Sequence, residues 1–173
     1  MKENAGHYVV GNFNSHASFL SDEEYGKVLD SIVITCADII LVNDNKILLG
    51  KRSRDPQSDW WIIGGRMKPG ESFEEAASRN AGRELGINID PEKIKYLTTF
   101  SGVWDTRHHP PKENGAHTVS VVMWADITDE EKSSIKTNDE YEAIQWIEPK
   151  RIMESDFHGA VKQCAEAILN IFP

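Results

Sequence analysis

Apolar residues recur along this chain in two periods, and each period predicts one kind of element. Runs rich in β-branched and aromatic residues are typical of strands; they cover residues 32–42, 46–52, 60–63, 94–103, 117–127 and 141–147. Apolar residues at three- and four-residue spacing are typical of helices; they cover residues 21–29, 73–85 and 159–172. Strands around one central helix, with another helix at the C-terminus, predict an α+β fold.

The helix over residues 73–85 has the clearest boundaries. Ser72 and Glu75 are spaced as a capping box, in which each side chain accepts a hydrogen bond from the other residue's backbone. Gly86 suits the left-handed residue that follows many helices. The apolar stripe of this helix consists of Phe73, Ala76, Ala77, Ala81 and Leu85. Taken alone, the segment is typical of an amphipathic helix that packs one face on a core and exposes charges on the other.

The length of 173 residues suits one domain with a complete hydrophobic core. Residues 1–18 are polar and lack a regular apolar pattern. We therefore predict a flexible N-terminal arm over residues 1–18 and one folded domain over residues 19–173. The segment Asn-Asp-Asn at residues 43–45 predicts a hairpin turn between the first two strands.

Composition narrows the class of partner. The formal net charge of −9 argues against nucleic-acid binding, which relies on basic surfaces. It does not exclude a nucleotide, because a few local arginines can hold one diphosphate. Cys36 and Cys164 are too few for a disulfide framework or a zinc site. The N-terminus has no apolar signal core, and Asp38 interrupts the most apolar run. We expect a cytoplasmic protein that binds a small-molecule nucleotide, not nucleic acid or a membrane.

The segment around the central helix carries the most specific motif. Gly65 is followed by Glu71 after five residues and by Arg79 after seven more. This spacing resembles the signature of the Nudix hydrolases, G-x5-E-x7-R-E-U-x-E-E-x-G-U, where U is aliphatic. Asn80 and Arg83 stand where that signature has glutamate. The resemblance implies an α/β/α sandwich with a mixed sheet, in which Gly65 is structural and Glu71 pairs with Arg79 to fix the signature loop against its helix.

Outside the signature, the likeness narrows to one group of Nudix enzymes. The stretch SFLSDEEYGKVLDSIVI, the motifs LLGKR, GGR and RELG, and the later FSGVW look like those of the GDP-mannose mannosyl hydrolases. The likeness runs from about residue 19 to about residue 158. That group also lacks acidic residues at these helix positions. The resemblance implies a homodimer that hydrolyses a nucleoside diphosphate sugar, with water attacking the anomeric carbon.

The missing glutamates bear on metal binding. Orthodox Nudix enzymes attack phosphorus with several divalent cations held by a glutamate cluster. Asn80 carries no charge, and the positive charge of Arg83 would repel a second cation. We predict one Mg²⁺ ion, with Mn²⁺ as the alternative, held by the Glu84 carboxylate and the Gly64 carbonyl and bound to substrate phosphates.

His117 aligns with the general base of the GDP-mannose group, and a histidine can take a proton from water near neutral pH. A lone histidine at the start of a strand is more often a surface or packing residue, but the motif position favours the catalytic role. Together with Arg52 and Asp38 it forms the predicted catalytic set. His108 and His109 in the preceding loop are the rival candidates for the base.

The other predicted site residues would contact the substrate. Arg52, at the end of LLGKR, and Arg66 are predicted to bind the phosphates, because guanidinium forks match phosphate oxygens in pairs. Asp38 is a carboxylate inside an apolar run, which is costly to bury without polar partners, and it aligns with an aspartate near the sugar in the resembling group. Trp104, with Trp60–Trp61 as alternatives, is predicted to stack on the base.

Two differences from the GDP-mannose group leave the identity of the substrate undecided. Ser101 stands where the GDP-mannose group has a tyrosine, and the loop over residues 105–116 differs in composition. Two other functions also stay open. A pyrophosphohydrolase would cleave the P–O–P bond with Glu84 and further carboxylates such as Glu113 or Glu140. A non-catalytic module would bind a nucleotide without turnover.

Overall fold

One mixed β-sheet of seven strands forms the centre of the computed structural model, which describes residues 6–53 and 59–172. The strands are, in chain order, β1 (Ile34–Asn43), β2 (Lys46–Arg52), β3 (Trp60–Trp61), β4 (Ile63–Arg66), β5 (Lys95–Trp104), β6 (Ala116–Asp126) and β7 (Tyr141–Ile147). Five strands follow the order β3-β2-β1-β6-β5, while β4 pairs with β1 and β7 pairs with β2. The β1–β6 pair is parallel and the other pairs are antiparallel.

Helices cover both faces of this sheet. Those in the described part are α1 (Asp22–Ser31), α2 (Phe73–Leu85), α3 (Asp129–Ser133), α4 (Pro149–Glu154) and α5 (Gly159–Ile171), with short 3-10 turns at Pro91–Lys93 and Lys112–Asn114. The helix α2 is the signature helix. It packs on one face, and α5 packs on the other. The predicted α/β/α sandwich with a mixed sheet is confirmed.

Two hydrophobic cores lie on opposite faces of the sheet. On one face, Ala37 and Ile39 of β1 pack against the apolar stripe of α2. On the other face, Ile40 and Val42 of the same strand pack with α5. Because side chains alternate between the two faces of a strand, β1 contributes to both cores. This alternation also decides which side chains of β1 and β6 reach the candidate site.

The elements differ from the predictions in two places. The stretch over residues 60–63, predicted as one strand, forms two: β3 pairs with β2 and β4 pairs with β1, so the chain changes partner at Ile62. The helices α3 and α4 have five and six residues, too short to show helical periodicity in the sequence.

The predicted hairpin turn is confirmed by positive φ at Asp44 and Asn45, as a two-residue turn of this kind requires.

The predicted N-terminal arm over residues 1–18 is described from residue 6 onward. Residues 6–20 form neither helix nor strand. Apolar side chains in this segment, including Tyr8, Val10 and Phe19, are exposed. The boundary between arm and domain stays a prediction. No helix in the described part of the chain is long and apolar enough to cross a membrane.

The N-terminus of α2 allows a direct test of how this fold is stabilised. The Ser72 hydroxyl accepts from the Glu75 backbone at 3.1 Å, and the Glu75 carboxylate accepts from the Ser72 backbone at 2.8 Å. Ser72→Ala removes one half of this capping box and should lower the free energy of unfolding by about 1 kcal/mol. Ser72→Asp retains a capping oxygen and should stay within about 0.5 kcal/mol of the wild type. Urea unfolding measures both, and equal losses for the two variants would contradict the capping role.

Candidate active site

A cavity of about 360 Å³ lies against the sheet where β1 and β6 run side by side. A volume of this size is typical of small-molecule sites. The two strands contribute even-numbered residues to its floor: Ile34, Cys36, Ala116 and Thr118. Four arginines line it: Arg52, Arg66, Arg83 and Arg107. Its other lining residues come from α1, from β4, from the loop before β6 and from the segment before β7: Tyr25, Leu29, Gly64, Gly65, His108, His109 and Glu140.

Arg107 holds α1 against the loop before β6 and so builds one wall. It is only 2% exposed. Its Nη1 donates to Asp30 Oδ1 in α1 at 2.6 Å and to the Gly115 carbonyl at 2.9 Å. Its Nη2 donates to the Gly26 carbonyl at 3.1 Å. Because a guanidinium carries five N–H donors in one plane, this single side chain serves acceptors from both segments.

Three side chains in contact form the wall next to Arg107. The Arg66 guanidinium lies 4.2 Å from the centre of the Tyr25 ring, a cation–π contact. The Tyr25 and His109 rings meet edge to face with centroids 4.6 Å apart. Burial lowers the pKa of His109, although the Asp22 carboxylate, 3.8 Å from its Nε2, opposes this effect. This lowered pKa favours the neutral imidazole, which is the form that accepts a proton.

Asp38 lies on the same face of β1 as Cys36, two residues further along, and is buried behind the cavity floor. Burial raises the pKa of its carboxyl to about 7. A hydrogen bond with Ser120 opposes that shift, as does the positive charge of Arg52. The negative charge of Glu84 adds to it. Near neutral pH this carboxyl is divided between its charged and neutral forms.

Glu84 is fully buried at the end of α2, and both of its carboxylate oxygens are bonded. Oε1 accepts from Nη2 of Arg83, and Oε2 accepts from the Tyr141 hydroxyl and from the Gly64 N–H. Nη1 of Arg83 also donates to Glu140 at 2.7 Å. Burial raises the pKa of Glu84, and the donors around it limit that rise. The same burial, with the charge of Glu84, raises the pKa of Tyr141.

Asn80, one of the two departures from the signature, joins α2 to the strands beside it. Its Nδ2 donates to the carbonyls of Ala37 and Gly65, both at 3.0 Å. Its Oδ1 accepts from Arg79 at 2.8 Å. A glutamate at this buried position would place a negative charge against two carbonyl oxygens. The amide is therefore matched to its surroundings, and a carboxylate without a cation would not be.

The structure brings Glu71 and Arg79 together outside the cavity. Nη2 of Arg79 donates to Glu71 Oε2 at 2.8 Å and to the Arg66 carbonyl at 3.1 Å. Glu71 Oε2 also accepts from the Lys68 backbone at 2.7 Å. These bonds fix the loop between β4 and α2 and hold the backbone of Arg66 beside the cavity.

Arg52 ends β2 and lines the cavity. Its Nε is buried and has no hydrogen-bond partner among the described residues. Buried donors in proteins are nearly always paired. An unpaired guanidinium nitrogen beside a cavity suits a side chain whose acceptor is a ligand or a bound water.

Neither His117 nor Trp104 is among the residues that line the cavity. Ala116 and Thr118 both face the cavity, so the alternation of β6 directs His117 to the opposite face of the sheet. There its Nε2 lies 2.8 Å from Ser101 Oγ. Trp104 does not line the cavity; its Nε1–H donates to Thr118 Oγ1 at 3.2 Å. The predicted base is thus separated by the sheet from the predicted phosphate ligands.

Residues 34–166 match the sequence profile of the NUDIX domain, which covers more than half of the chain. The chain belongs to the NUDIX domain family.

Individual relatives are more distant. The low-salt glycan biosynthesis protein Agl8 of Haloferax volcanii is 27% identical over 88 residues, which cover 50% of this chain and 55% of Agl8, so the match spans about half of that relative. The nucleoside triphosphatase NudI of Escherichia coli K12 is 24% identical over 127 residues, covering 72% of this chain and 88% of NudI. The crystal structure of a MutT NUDIX hydrolase from Burkholderia pseudomallei superposes with a TM-score of 0.63 at 24% identity, covering 79% of this chain and 98% of that one, which shows the shared fold.

NUDIX hydrolases generally use divalent metal ions, but the residues around this cavity do not fit one. Among the residues that the structure describes, no group of three or more His, Cys, Asp or Glu is placed to hold a metal. Glu84 is bonded to Arg83, Tyr141 and Gly64, and Gly64 presents its N–H to the carboxylate. The contacts of these residues therefore give no support to the predicted Mg²⁺ or Mn²⁺ ion at Glu84 and Gly64.

Several residues of the cavity were not identified as site residues from the sequence. Tyr25 and Leu29 carry a recognisable signal, because they lie four residues apart on one face of a predicted helix. Arg107 has no such signal, since its contacts join segments far apart in the chain. Tyr141 and its bond to Glu84 likewise depend on how β7 packs beside α2.

The raised pKa of Asp38 predicts a specific dependence of stability on pH. An exposed aspartate has a pKa of about 3.9, so between about pH 4 and pH 7 the folded chain holds a proton that the unfolded chain has lost. The free energy of unfolding should therefore fall as pH rises through this window. Asp38→Asn removes this loss and should be stabilised relative to the wild type at pH 7 by a few kcal/mol, at about 1.4 kcal/mol per pKa unit.

Urea unfolding of both proteins at intervals from pH 4 to pH 8 measures the difference. It should grow with pH up to about 7 and then level off. A difference independent of pH would mean that Asp38 titrates as an exposed residue does.

Proposed function

We propose that this chain hydrolyses a nucleoside diphosphate sugar by attack of water at the anomeric carbon. One observation carries the proposal: arginines line the cavity, and the described residues offer no carboxylate cluster to hold metal ions for attack at phosphorus. Positive charge without such a cluster is suited to binding a diphosphate as a leaving group. The resemblance of the sequence to the GDP-mannose mannosyl hydrolases supports the same reaction.

The departing diphosphate is assigned to two arginines that line the cavity, Arg52 and Arg66. Charge develops on the phosphate oxygen as the bond to the sugar breaks, and positioned donors stabilise it. The unpaired Nε of Arg52 supports its role at this oxygen. Asp38, buried behind the floor, is assigned to orienting Arg52, because their charges interact.

The reaction balances without a further reactant. The water oxygen forms a bond to the anomeric carbon, and the bond between that carbon and the phosphate oxygen breaks. The nucleoside diphosphate leaves with the electron pair. One proton of the water passes to a base, and the other remains on the hydroxyl of the released sugar.

We assign the base to His109, one of the rival candidates from the sequence. Its ring lies in the cavity wall, and burial lowers its pKa, which favours the neutral form. A neutral imidazole accepts a proton from water at neutral pH. His117 faces the other side of the sheet, so its predicted role as base is the competing assignment.

A pyrophosphohydrolase is the second candidate, and the similarity to the nucleoside triphosphatase NudI favours it. It would cleave between phosphates and release a nucleoside monophosphate. A module that binds a nucleotide without turnover is the third candidate. The homodimer and the cytoplasmic location stay predictions from the sequence.

Incubation with a panel of nucleotide sugars tests the proposal. We expect free sugar and a nucleoside diphosphate as products for at least one member, separated by anion-exchange chromatography. A nucleoside monophosphate with a sugar phosphate would establish the pyrophosphohydrolase instead. If calorimetry shows tight binding of a nucleotide sugar but no member of the panel gives a product, the chain is a module that binds a nucleotide without turnover.

Two matched histidine variants test the base. His109→Gln should lower kcat by about 10²–10⁴-fold with little change in KM, because the residue acts on water. The wild-type rate should fall as pH drops through the lowered pKa of His109, and this limb should vanish in His109→Gln. His117→Gln should retain both the rate and the limb. The reverse result, loss of the limb in His117→Gln alone, would return the role to His117.

A further inference from the structure

We propose that the Arg83 guanidinium is a fixed cation that binds the diphosphate in this cavity, in the place where orthodox NUDIX hydrolases use metal ions held by glutamates. This inference rests on the proposed function for the identity of its ligand, a diphosphate. The absence of a bound divalent ion, in contrast, can be tested on the protein without any substrate.

Arg83 is held at the cavity by two carboxylates. It donates to buried Glu84 from one terminal nitrogen and to Glu140 from the other. Its side chain remains 46% exposed, and it lines the cavity together with Arg52 and Arg66. The two bonds use two of its five N–H donors. A guanidinium whose position is fixed by these two bonds, with further N–H donors left over, is preorganised to bind an anion.

Gly65 leaves the space that Arg83 occupies. A Cβ at Gly65 would lie 3.1 Å from Nη2 of Arg83, closer than ordinary contact. The Arg83 guanidinium therefore lies directly against strand β4 at Gly65. The neighbouring residue of the same strand, Gly64, donates its N–H to Glu84, so Arg83, Glu84 and this part of β4 form one contiguous unit.

A divalent ion would have to break this unit. To reach Glu84 it would displace Arg83 or the Tyr141 hydroxyl, and the freed guanidinium would repel it. The Gly65 carbonyl, a potential oxygen ligand, already accepts from Asn80. Both departures from the signature thus disfavour a divalent ion. Asn80 donates to the Gly65 carbonyl oxygen, which could otherwise be a ligand, and Arg83 supplies a positive charge in place of the ion.

Arginine can replace the ion for this kind of ligand. Its charge is permanent, and its fork matches two phosphate oxygens at once. It cannot lower the pKa of a bound water as a metal ion does. A site with this cation is therefore suited to holding a diphosphate that leaves, with the water activated by a separate base.

Binding of Mn²⁺ to the protein alone tests the first half of the proposal. Electron paramagnetic resonance of added Mn²⁺ should show no stoichiometric binding to the wild type. Arg83→Glu adds a carboxylate beside Glu84 and Glu140 and should bind Mn²⁺ at least about tenfold more tightly than the wild type. Arg151→Glu makes the same charge change at an exposed position outside the cavity and should behave as the wild type does. Tight stoichiometric binding to the wild type would overturn the proposal.

Calorimetry with inorganic pyrophosphate in excess EDTA tests the second half. The wild type should bind it without a divalent ion, and Arg83→Gln should weaken binding by about 10- to 100-fold. Arg83→Lys keeps the charge but not the fork and should lie between them, while Arg151→Gln should match the wild type. Circular dichroism checks that each variant is folded. Pyrophosphate binding that needs added Mg²⁺, or that survives Arg83→Gln unchanged, would overturn the proposal.

The two proposals fail in different ways. Sugar release by the wild type, combined with unchanged pyrophosphate binding in Arg83→Gln, would keep the proposed function and remove the role of Arg83. Loss of pyrophosphate binding in Arg83→Gln, combined with no sugar release from any nucleotide sugar, would keep the fixed cation and remove the proposed reaction.

Discussion

The buried carboxylate of Glu84 is the interaction on which the site depends. An ionised carboxylate is costly to bury unless its oxygens are bonded, and here Arg83, Gly64 and Tyr141 supply those bonds. The three donors come from α2, β4 and the start of β7, so one side chain joins the signature helix to two parts of the sheet. The backbone carbonyl of Glu84 also accepts from the Asn138 N–H at 3.1 Å, which secures the segment leading to β7. Arg83 is thereby fixed at the cavity, and the bonds to Glu84 and Glu140 use only two of its five N–H donors.

Most of the fold could be predicted because its elements carry local signals. The capping box at Ser72 and the left-handed Gly86 mark the ends of α2 in the sequence and in the structure. The residues after Trp60 show the limit of such signals. An apolar run of four residues does not reveal that the chain changes its strand partner at Ile62, because that change is decided by β1 and β2.

The site could be predicted only in part, because its geometry depends on which face of a strand each residue occupies. Arg52 is the last residue of the LLGKR motif and Arg66 the last of the GGR motif. Each ends a strand, and both line the cavity. The alignment of His117 gave its place along β6 but not the face of the sheet on which its side chain lies. The side chains of Ala116 and Thr118 face the cavity instead. Arg83 was recognised as a charge that would repel a cation. Its own role as the cation becomes visible only with Glu84 and Glu140 around it.

The central claim is that the bond between the anomeric carbon and the phosphate oxygen breaks, and isotope labelling tests it most directly. Attack of water on the phosphorus next to the sugar would release the same nucleoside diphosphate and free sugar, so products alone do not separate the two reactions. Hydrolysis in ¹⁸O-labelled water, followed by mass spectrometry of both products, does. We predict label in the anomeric hydroxyl of the sugar and none in the nucleoside diphosphate. Label in the phosphate would contradict it and would require a different arrangement of water and cations at the phosphorus.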